Sequence, residues 1–225
     1  IDTPGYPDFR GPTLSALAAV ETVAIVVDAD TGIGYGTRRM MEYAKARNLC
    51  RAIVINKIDH EGADTARLLD GLREVFGPEV LPLNLPADGG KRVVDCFSTT
   101  EGDSDLGPVA DWHQKIIDQV VEVNETVMDH YLDLGEGGLS GQELHDAFEQ
   151  CLREGHLVPV CFVSARNGVG VRELLDVAAG EPCGGGCLLP GAEGLDHGVR
   201  GERPELDRRA PRHDLRPARQ RHDPG

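Results

Sequence analysis

The residues with the clearest chemical potential stand in the stretch INKID, which follows a run of β-branched residues. Asn56, Lys57 and Asp59 form the pattern N-K-x-D. An ionised carboxylate only accepts hydrogen bonds, so Asp59 can take both N–H donors of a guanine edge, N1 and the exocyclic amine. Adenine offers no such donor pair. The pattern therefore predicts a guanine-selecting loop, with the Lys57 stem along the purine face and Asn56 tying the loop to its neighbours.

A second short stretch, VSARNG, follows another buried run further along the chain. Ser164 and Ala165 would form a companion loop whose backbone N–H groups donate to guanine O6, and Arg166 is the adjoining nucleotide-binding candidate. Taken alone, a Ser-Ala pair is better explained as an ordinary turn at a strand end. Its combination with N-K-x-D favours a nucleotide loop instead.

The stretch IDTPGYPDFRG contains a D-x-x-G pattern. Asp2 would hold Mg²⁺ through water, and the Gly5 N–H would sense the γ-phosphate of a nucleotide, an approach that a side chain at position 5 would block. Pro4 lies between them and is a further nucleotide-binding candidate. Alone, an Asp-Pro-Gly turn is the simpler interpretation. Three motifs in order, each at a predicted strand end, favour the nucleotide site.

These motifs need a scaffold that brings strand ends together, and the hydrophobic pattern predicts one. Continuous apolar runs at 22–29 and 51–59 are typical of strands buried on both faces. Helices are predicted at 8–20, 37–47 and 64–76. Alternating strands and helices with short loops indicate an α/β fold with a parallel sheet, in which loops at the carboxyl ends of the strands hold ligands.

The pattern changes after residue 78. EVLPLNLPADGG and KRVVDCFS predict two short strands around a glycine turn, and a long helix is predicted from 109 to about 134. Ser140 lies three residues before Glu143, which is the spacing of a capping box and predicts a further helix. LVPVCFVSA then predicts a buried strand and GVRELLDVAA a helix.

This change of pattern predicts the domain organisation. We expect a partial nucleotide-binding domain at 1–78, an inserted α+β subdomain at 79–156 and the end of the first domain at 157–179. The segment 180–225 has no aromatic residue and no Lys but abundant Gly, Pro and Arg, so we expect disorder there. A reading-frame shift near Ala179 is the favoured origin of this segment, because it begins abruptly in mid-helix; a natural flexible tail is the alternative.

Composition excludes several classes of function. The formal net charge of -15 argues against broad or sequence-specific binding to nucleic acid, because attraction to phosphates needs a basic face. No apolar run is long enough for a membrane-spanning helix. The six Cys do not follow a zinc-ribbon spacing and are expected to be reduced, buried thiols of a cytoplasmic protein.

The motifs DTPGYPDF, NKID and SARNGVGVRELLD resemble the third, fourth and fifth signature elements of translational GTPases. About a hundred residues separate Asp59 from Ser164, and elongation factor G and its relatives carry an inserted subdomain at that place. The resemblance extends from residue 1 to about 179. It implies a P-loop NTPase-type α/β fold, a parallel sheet with helices on both faces, whose N-terminal strands and P-loop are missing here.

The same resemblance implies a function for the intact parent protein. It would bind GTP or GDP with Mg²⁺, hydrolyse GTP and act on the ribosome, with the insert facing the ribosomal stalk. The 225 residues contain no G-x-x-x-x-G-K-[ST] phosphate loop, and the first switch is also missing. We therefore expect a fragment that is inactive by itself.

Tyr6 departs from the usual pattern of the family. Most translational GTPases place His directly after D-x-x-G, where it orients the attacking water. Tyr6 takes that place here and is the catalytic candidate. A tyrosine hydroxyl donates or accepts a hydrogen bond but does not become a cation near neutral pH. The hypothesis is that the parent hydrolyses GTP slowly, or in a step other than ordinary translocation.

Two other classes of function stay open from the sequence. The chain could come from a ribosomal protection-type GTPase, which shares this layout. It could also be a non-catalytic remnant that binds guanine or the ribosome, which the missing phosphate loop favours for this polypeptide itself.

Overall fold

The computed structural model describes residues 1–6 and 10–179. In the described residues it contains a central four-stranded parallel sheet, two two-stranded antiparallel sheets, seven α-helices and a short 3-10 helix at Glu136–Gly138. This is the predicted α/β class. The elements in chain order are α1 Arg10–Leu17, β1 Thr22–Asp28, α2 Tyr35–Ala46, β2 Cys50–Asn56, α3 Thr65–Phe76, β3 Val80–Pro82, β4 Asn84–Ala87, β5 Arg92–Asp95, β6 Asp103–Ser104, β7 Gly107–Pro108, α4 Val109–Val121, α5 Glu125–Leu134, α6 Gly141–Glu154, β8 Val158–Phe162 and α7 Val171–Ala179.

The central sheet has the order β1-β2-β8-β3. Its register places Asp28 beside Asn56 and Ile55 beside Phe162, so the three strands end at one edge. The loops that carry N-K-x-D and S-A therefore leave the sheet side by side. β3 lies within the predicted insert 79–156 but pairs with β8 in the central sheet, and the division of the chain into domains stays a prediction.

Burial separates the interior strands from β1. Every residue of β8 is buried, as are all residues of β2 except the last, which confirms the expectation that both faces are covered. The same expectation was wrong for β1, where Ala24 is exposed and Val26 is 63% exposed. In the described part of the chain β1 has a neighbour on one side only, and only its Ile25 and Val27 face packs into the core.

The segment after β3 begins with the predicted hairpin and continues as helices. β4 and β5 pair antiparallel around the glycine turn, as predicted. The single helix predicted at 109–134 was wrong, because the helix ends at Val121 and a new one starts at Glu125. Asn124 caps the new helix: its side chain accepts from Thr126 N at 3.0 Å, a bond that a continuous helix would not leave room for.

The capping box of α6 is present as predicted. The Ser140 hydroxyl accepts from Glu143 N at 3.2 Å, and the Glu143 carboxylate accepts from Ser140 N at 2.8 Å. Gly155 ends this helix in the left-handed conformation, with φ of 77°. Ser140 and Gly155 therefore set the two ends of α6.

A continuous apolar core joins the sheet to α4 and α6. Phe97 and Phe148 pack edge to face with ring centroids 4.6 Å apart. Four cysteines in the described residues are buried free thiols, Cys50, Cys96, Cys151 and Cys161, and burial raises the pKa of each. None of the described helices has the length and apolar character needed to cross a bilayer. The tail predicted at 180–225 lies outside the described residues.

Candidate nucleotide-binding site

Asn56 joins two loops at the carboxyl edge of the sheet. It is the last residue of β2, and its side-chain oxygen Oδ1 accepts from Lys57 N at 2.8 Å. The same Oδ1 accepts from Ala165 N at 3.0 Å, across 109 positions of sequence. The structure thus brings the N-K-x-D and S-A loops into direct contact, in the way the sequence predicts for Asn56.

Asp59 lies beside the S-A loop and is partly exposed. Its Oδ2 accepts from Asn167 Nδ2 at 2.9 Å. A hydrogen bond from the buried Ser164 hydroxyl is the main cause that lowers the Asp59 pKa, and the positive charge of Arg166 lowers it further. The carboxylate is therefore held ionised, the state in which it accepts a pair of donors from a base.

Lys57 adopts a left-handed backbone with φ of 66° and extends across the edge to Asp28 at the end of β1. Asp28 Oδ1 also accepts from Asp30 N at 2.9 Å. The Lys57 hydrogen bond is the main cause that lowers the Asp28 pKa, and the same bond raises the pKa of Lys57. The pair holds the long Lys57 side chain across the carboxyl edge of the sheet.

Sequence reasoning missed Asp28 and Asn167. Asp28 is the first polar residue after the apolar part of TVAIVVD, so its position at a strand end was a readable signal. Asn167 follows Arg166 in SARNG, but its contact with Asp59 spans 108 positions and depends on tertiary structure. Asp28 contacts Lys57 and Asn167 contacts Asp59, so both residues bind side chains of the predicted N-K-x-D motif.

The turn between β4 and β5 packs against the backbone of the N-K-x-D loop. Gly90 has φ of +76°, and a Cβ built on it would lie 2.0 Å from the Ile58 carbonyl oxygen. Asp105 Oδ2 holds this turn by accepting from Gly89 N at 3.0 Å and Gly90 N at 3.3 Å. Only glycine permits so close a contact between the turn and the loop.

The D-x-x-G segment is exposed to solvent. Asp2, Pro4 and Gly5 are exposed, and Tyr6 is 75% exposed. A Cβ built on Gly5 would have no atom of the described residues within 4 Å. The structure gives residues 1–6 no hydrogen bond to the N-K-x-D or S-A loops among the residues it describes.

The Mg²⁺ prediction rests on Asp2 alone. Proteins commonly hold Mg²⁺ by one or two carboxylates, together with waters and substrate phosphates. An exposed carboxylate such as Asp2 is a donor of the right kind. No group of three or more His, Cys, Asp and Glu in the described residues could hold a metal by itself, so nucleotide phosphates would have to complete the ligand set.

A parallel α/β sheet whose carboxyl edge joins N-K-x-D to S-A defines the guanine-nucleotide-binding domain of a GTPase. The chain matches the family described as Elongation factor Tu GTP binding domain over residues 1–181 and belongs to that family. It is a GTP-binding domain of the translational GTPase type.

Relatives and solved structures agree with this assignment. An elongation factor G-like protein of Mycobacterium tuberculosis is 31% identical over 195 residues, covering 79% of this chain and 26% of that protein. Peptide chain release factor 3 of Streptococcus agalactiae is 32% identical, covering 78% of this chain and 34% of that protein. The crystal structure of a Thermus thermophilus protein superposes with a TM-score of 0.68 at 33% identity, covering 79% of this chain and 29% of that chain. The chain thus spans about a quarter to a third of these relatives.

Proposed function

We propose that this chain is the GTP-binding part of an elongation factor G-like GTPase that binds GTP with Mg²⁺ and hydrolyses it on the ribosome. The observation that carries the proposal is the joined base site, in which Asn56 links the two loops and Asp59 is held ionised beside Ser164. The elongation factor G-like relative supports the choice within the family. A ribosomal partner implies a cytoplasmic protein.

Within this proposal the roles follow from position. Asp59 selects guanine and Lys57 supports the purine face. Ser164, Ala165 and Arg166 flank the base; the Ala165 N–H donates to Asn56 Oδ1 in this structure and would have to change partner to reach guanine O6. Asp2 would hold Mg²⁺, and Pro4 and Gly5 would contact the γ-phosphate. Tyr6 takes the place of the residue that orients the attacking water.

Release factor function is the second candidate. Peptide chain release factor 3 is as similar to this chain as the elongation factor G-like protein, at 32% and 31% identity. The full-length protein that contains this chain would separate the two in a ribosome assay. Stimulated translocation supports the first candidate, and stimulated recycling of peptide release supports the second.

The isolated 225 residues should bind nucleotide weakly. They contain no G-x-x-x-x-G-K-[ST] loop, and each charge-assisted hydrogen bond to phosphate contributes about 1.5–3 kcal/mol. Base selection should nevertheless survive, because its residues are in place. Sub-micromolar GDP binding by this chain alone would contradict weak binding and exclude a non-catalytic remnant.

An NMR titration with GMP and AMP tests the base site directly. Amide signals of Lys57, Asp59 and Ala165 are expected to shift on addition of GMP at concentrations where AMP leaves them unchanged. An Asp59→Ala variant should lose the GMP response, while an Asp70→Ala variant on the exposed face of α3 should keep it. Equal responses to GMP and AMP in the unmodified chain would reject the proposed function.

We also propose that the insert contacts the ribosomal stalk. Leu132 and Leu134 near the end of α5 are 72% and 68% exposed, which is unusual for leucines and offers an apolar contact. A Leu132→Asp, Leu134→Asp double variant should lose binding to purified stalk protein. Leu175→Asp, at a 60% exposed position on α7, is the matched control and should bind normally.

A further inference from the structure

Arg51 is a buried cation at the amino end of β2, opposite the nucleotide edge. It is 8% exposed, and its Nη2 donates to the Gly155 carbonyl oxygen at 3.3 Å. Among the described residues no carboxylate stands at ion-pair distance from it. Burial lowers the pKa of the guanidinium, and the charge of Glu79 acts on it in the opposite direction. Arginine stays charged under such conditions, and the bond to Gly155 uses one of its five N–H donors.

The Arg51 guanidinium borders a cavity of about 400 Å³ at this end of the sheet. Its walls come from the last turns of α2 and α6 and from the loops before β2, β3 and β8. The lining residues are Lys45, Asn48, Leu49, Arg51, Pro78, Glu79, Gln119, Arg153, Glu154, Gly155 and His156.

The charges around the cavity are unusual for this chain. Three permanent cations, Lys45, Arg51 and Arg153, line it against the carboxylates of Glu79 and Glu154, whereas the whole chain carries -15. Arg153 Nη2 also lies 3.7 Å from Glu149 Oε2, outside the lining. Three cations around one cavity in so negative a chain are a local concentration of charge rather than the average of the surface.

Neighbouring groups engage one of the two carboxylates. Glu154 Oε1 accepts from Gln150 Nε2 at 2.9 Å, and Glu154 Oε2 lies 3.5 Å from His156 Nε2. Glu79 acts on the Arg51 guanidinium through its charge but does not stand at ion-pair distance from it in the described residues.

We propose that this cavity binds a small phosphate-bearing anion, with Arg51 at its inner end and Lys45 and Arg153 at its mouth. A guanidinium matches the oxygens of a phosphate with two parallel N–H bonds, and a buried charge is stabilised when such a partner is present. The volume fits a small-molecule site. Asn56 is five positions beyond Arg51 along β2, about 16 Å away, so this site is distinct from the nucleotide edge.

An NMR titration of the full 225-residue chain with inorganic phosphate, at ionic strength held constant with sodium chloride, tests the proposal. Saturable shifts are expected at the amides of Asn48, Gly155 and His156. A parallel titration with glycerol 3-phosphate identifies the source: tighter binding than inorganic phosphate indicates an organic phosphate ester, and equal binding indicates free phosphate.

Variants distinguish a specific binding site from general electrostatic attraction of phosphate. Arg51→Gln should weaken phosphate binding about tenfold or more, because a charge-assisted hydrogen bond is lost. Arg153→Gln and Lys45→Gln replace exposed side chains, so these variants should fold even if Arg51→Gln does not. Together the two substitutions should weaken phosphate binding to a similar degree. Arg172→Gln, whose side chain is 90% exposed on α7, should leave binding unchanged. Shifts that do not saturate, or that persist equally in all the cavity variants, would overturn the site.

Discussion

The side-chain oxygen of Asn56 lies 3.0 Å from the backbone nitrogen of Ala165, 109 positions later in the chain. One amide oxygen therefore orders two loops at once, because it also accepts from Lys57 N at 2.8 Å. Asp59 joins the same two loops a second time, because its carboxylate accepts from Asn167 Nδ2 at 2.9 Å. Removal of the Asn56 side chain should loosen both loops without unfolding the sheet behind them.

Asn56→Ala should expose this dependence. We expect a loss of about 1–2 kcal/mol in the free energy of unfolding, since two backbone donors lose their partner. Protection of the Ala165 amide from hydrogen exchange should fall. Asn56→Asp keeps an acceptor at the same place and should retain most of that protection. Equal protection in the Ala variant and the unmodified chain would show that the contact does not order the S-A loop.

Asp59→Asn should change which base is preferred. An amide offers one acceptor and one donor, whereas guanine presents two donors and xanthine presents a carbonyl in place of the exocyclic amine. Affinity for GMP should fall about tenfold or more, and XMP should become the better ligand. Amide shifts in titrations with GMP and XMP measure both effects. Asp70→Asn on α3 is the control, and a preference for GMP in the Asp59 variant would contradict the assigned role.

The pair formed by Asp28 and Lys57 predicts a pH-dependent contribution to stability. The Asp28 pKa lies below its ordinary 3.8, so the contribution is fully present above pH 3.8 and is lost as pH falls through the lowered pKa. The Lys57 pKa lies above 10.5, so the contribution is also lost as pH rises through that raised value. The pair is therefore complete between these two values.

Asp28→Asn isolates this charge, because the amide still accepts from the N–H groups of the following turn. At pH 7 we expect the variant to be only slightly less stable, since the Lys57 side chain is 60% exposed and solvent screens the pair. Urea unfolding should show a small difference in the free energy of unfolding between the variant and the unmodified chain at pH 7, and a smaller difference at pH 3. A gap of the same size at both pH values would mean that something other than the ion pair causes it.

The motifs of the base site were predictable because each lies at the end of an apolar run. Asn56 at the end of β2 and Ser164 after β8 follow from strand patterns and from the parallel sheet, which gathers strand ends at one edge. The contact of Asn167 with Asp59 was not predictable, because no local pattern marks which side chain of a loop turns toward a partner 108 positions away.

The errors in the fold have equally physical causes. The apolar run of β1 reads like that of β2, yet Val26 is 63% exposed, because burial depends on what covers a strand and not on its own composition. Helical periodicity continues through residues 109–134, but the Asn124 side chain captures the N–H of Thr126 and starts a new helix. The signal lay in the N-E-T sequence, a favourable cap in the middle of an apolar pattern.

Tyr6→Phe tests the proposed catalytic place, in a complete translational GTPase that carries these residues. If the hydroxyl orients the attacking water, ribosome-stimulated GTP turnover should fall about tenfold, the effect of one lost hydrogen bond. Tyr43→Phe, on α2 beside Arg47, is the control and should leave turnover unchanged. Unchanged turnover in the Tyr6 variant would exclude a role for this hydroxyl.

Gly90→Ala should damage the base site from the β4–β5 turn. At φ of +76° a Cβ would stand 2.0 Å from the Ile58 carbonyl oxygen, and a backbone atom cannot rotate away as a flexible side chain can. Gly89→Ala is the matched control in the same turn: its φ is +68°, but no atom of the described residues lies within 4 Å of the added methyl. The control should lose about 1 kcal/mol of the free energy of unfolding, because it adds only the backbone strain of a left-handed residue. Gly90→Ala adds the clash as well and should lose about 3 kcal/mol or more.

Urea unfolding of the two variants measures this difference, and GMP titration reports its effect on the base loop. If the turn supports the loop, Gly90→Ala should weaken the response of the Lys57 and Asp59 amides to GMP, while Gly89→Ala should leave it intact. Equal losses of stability in both variants would mean that the turn moves away at no cost. The β4–β5 turn would then have no part in holding the N-K-x-D loop.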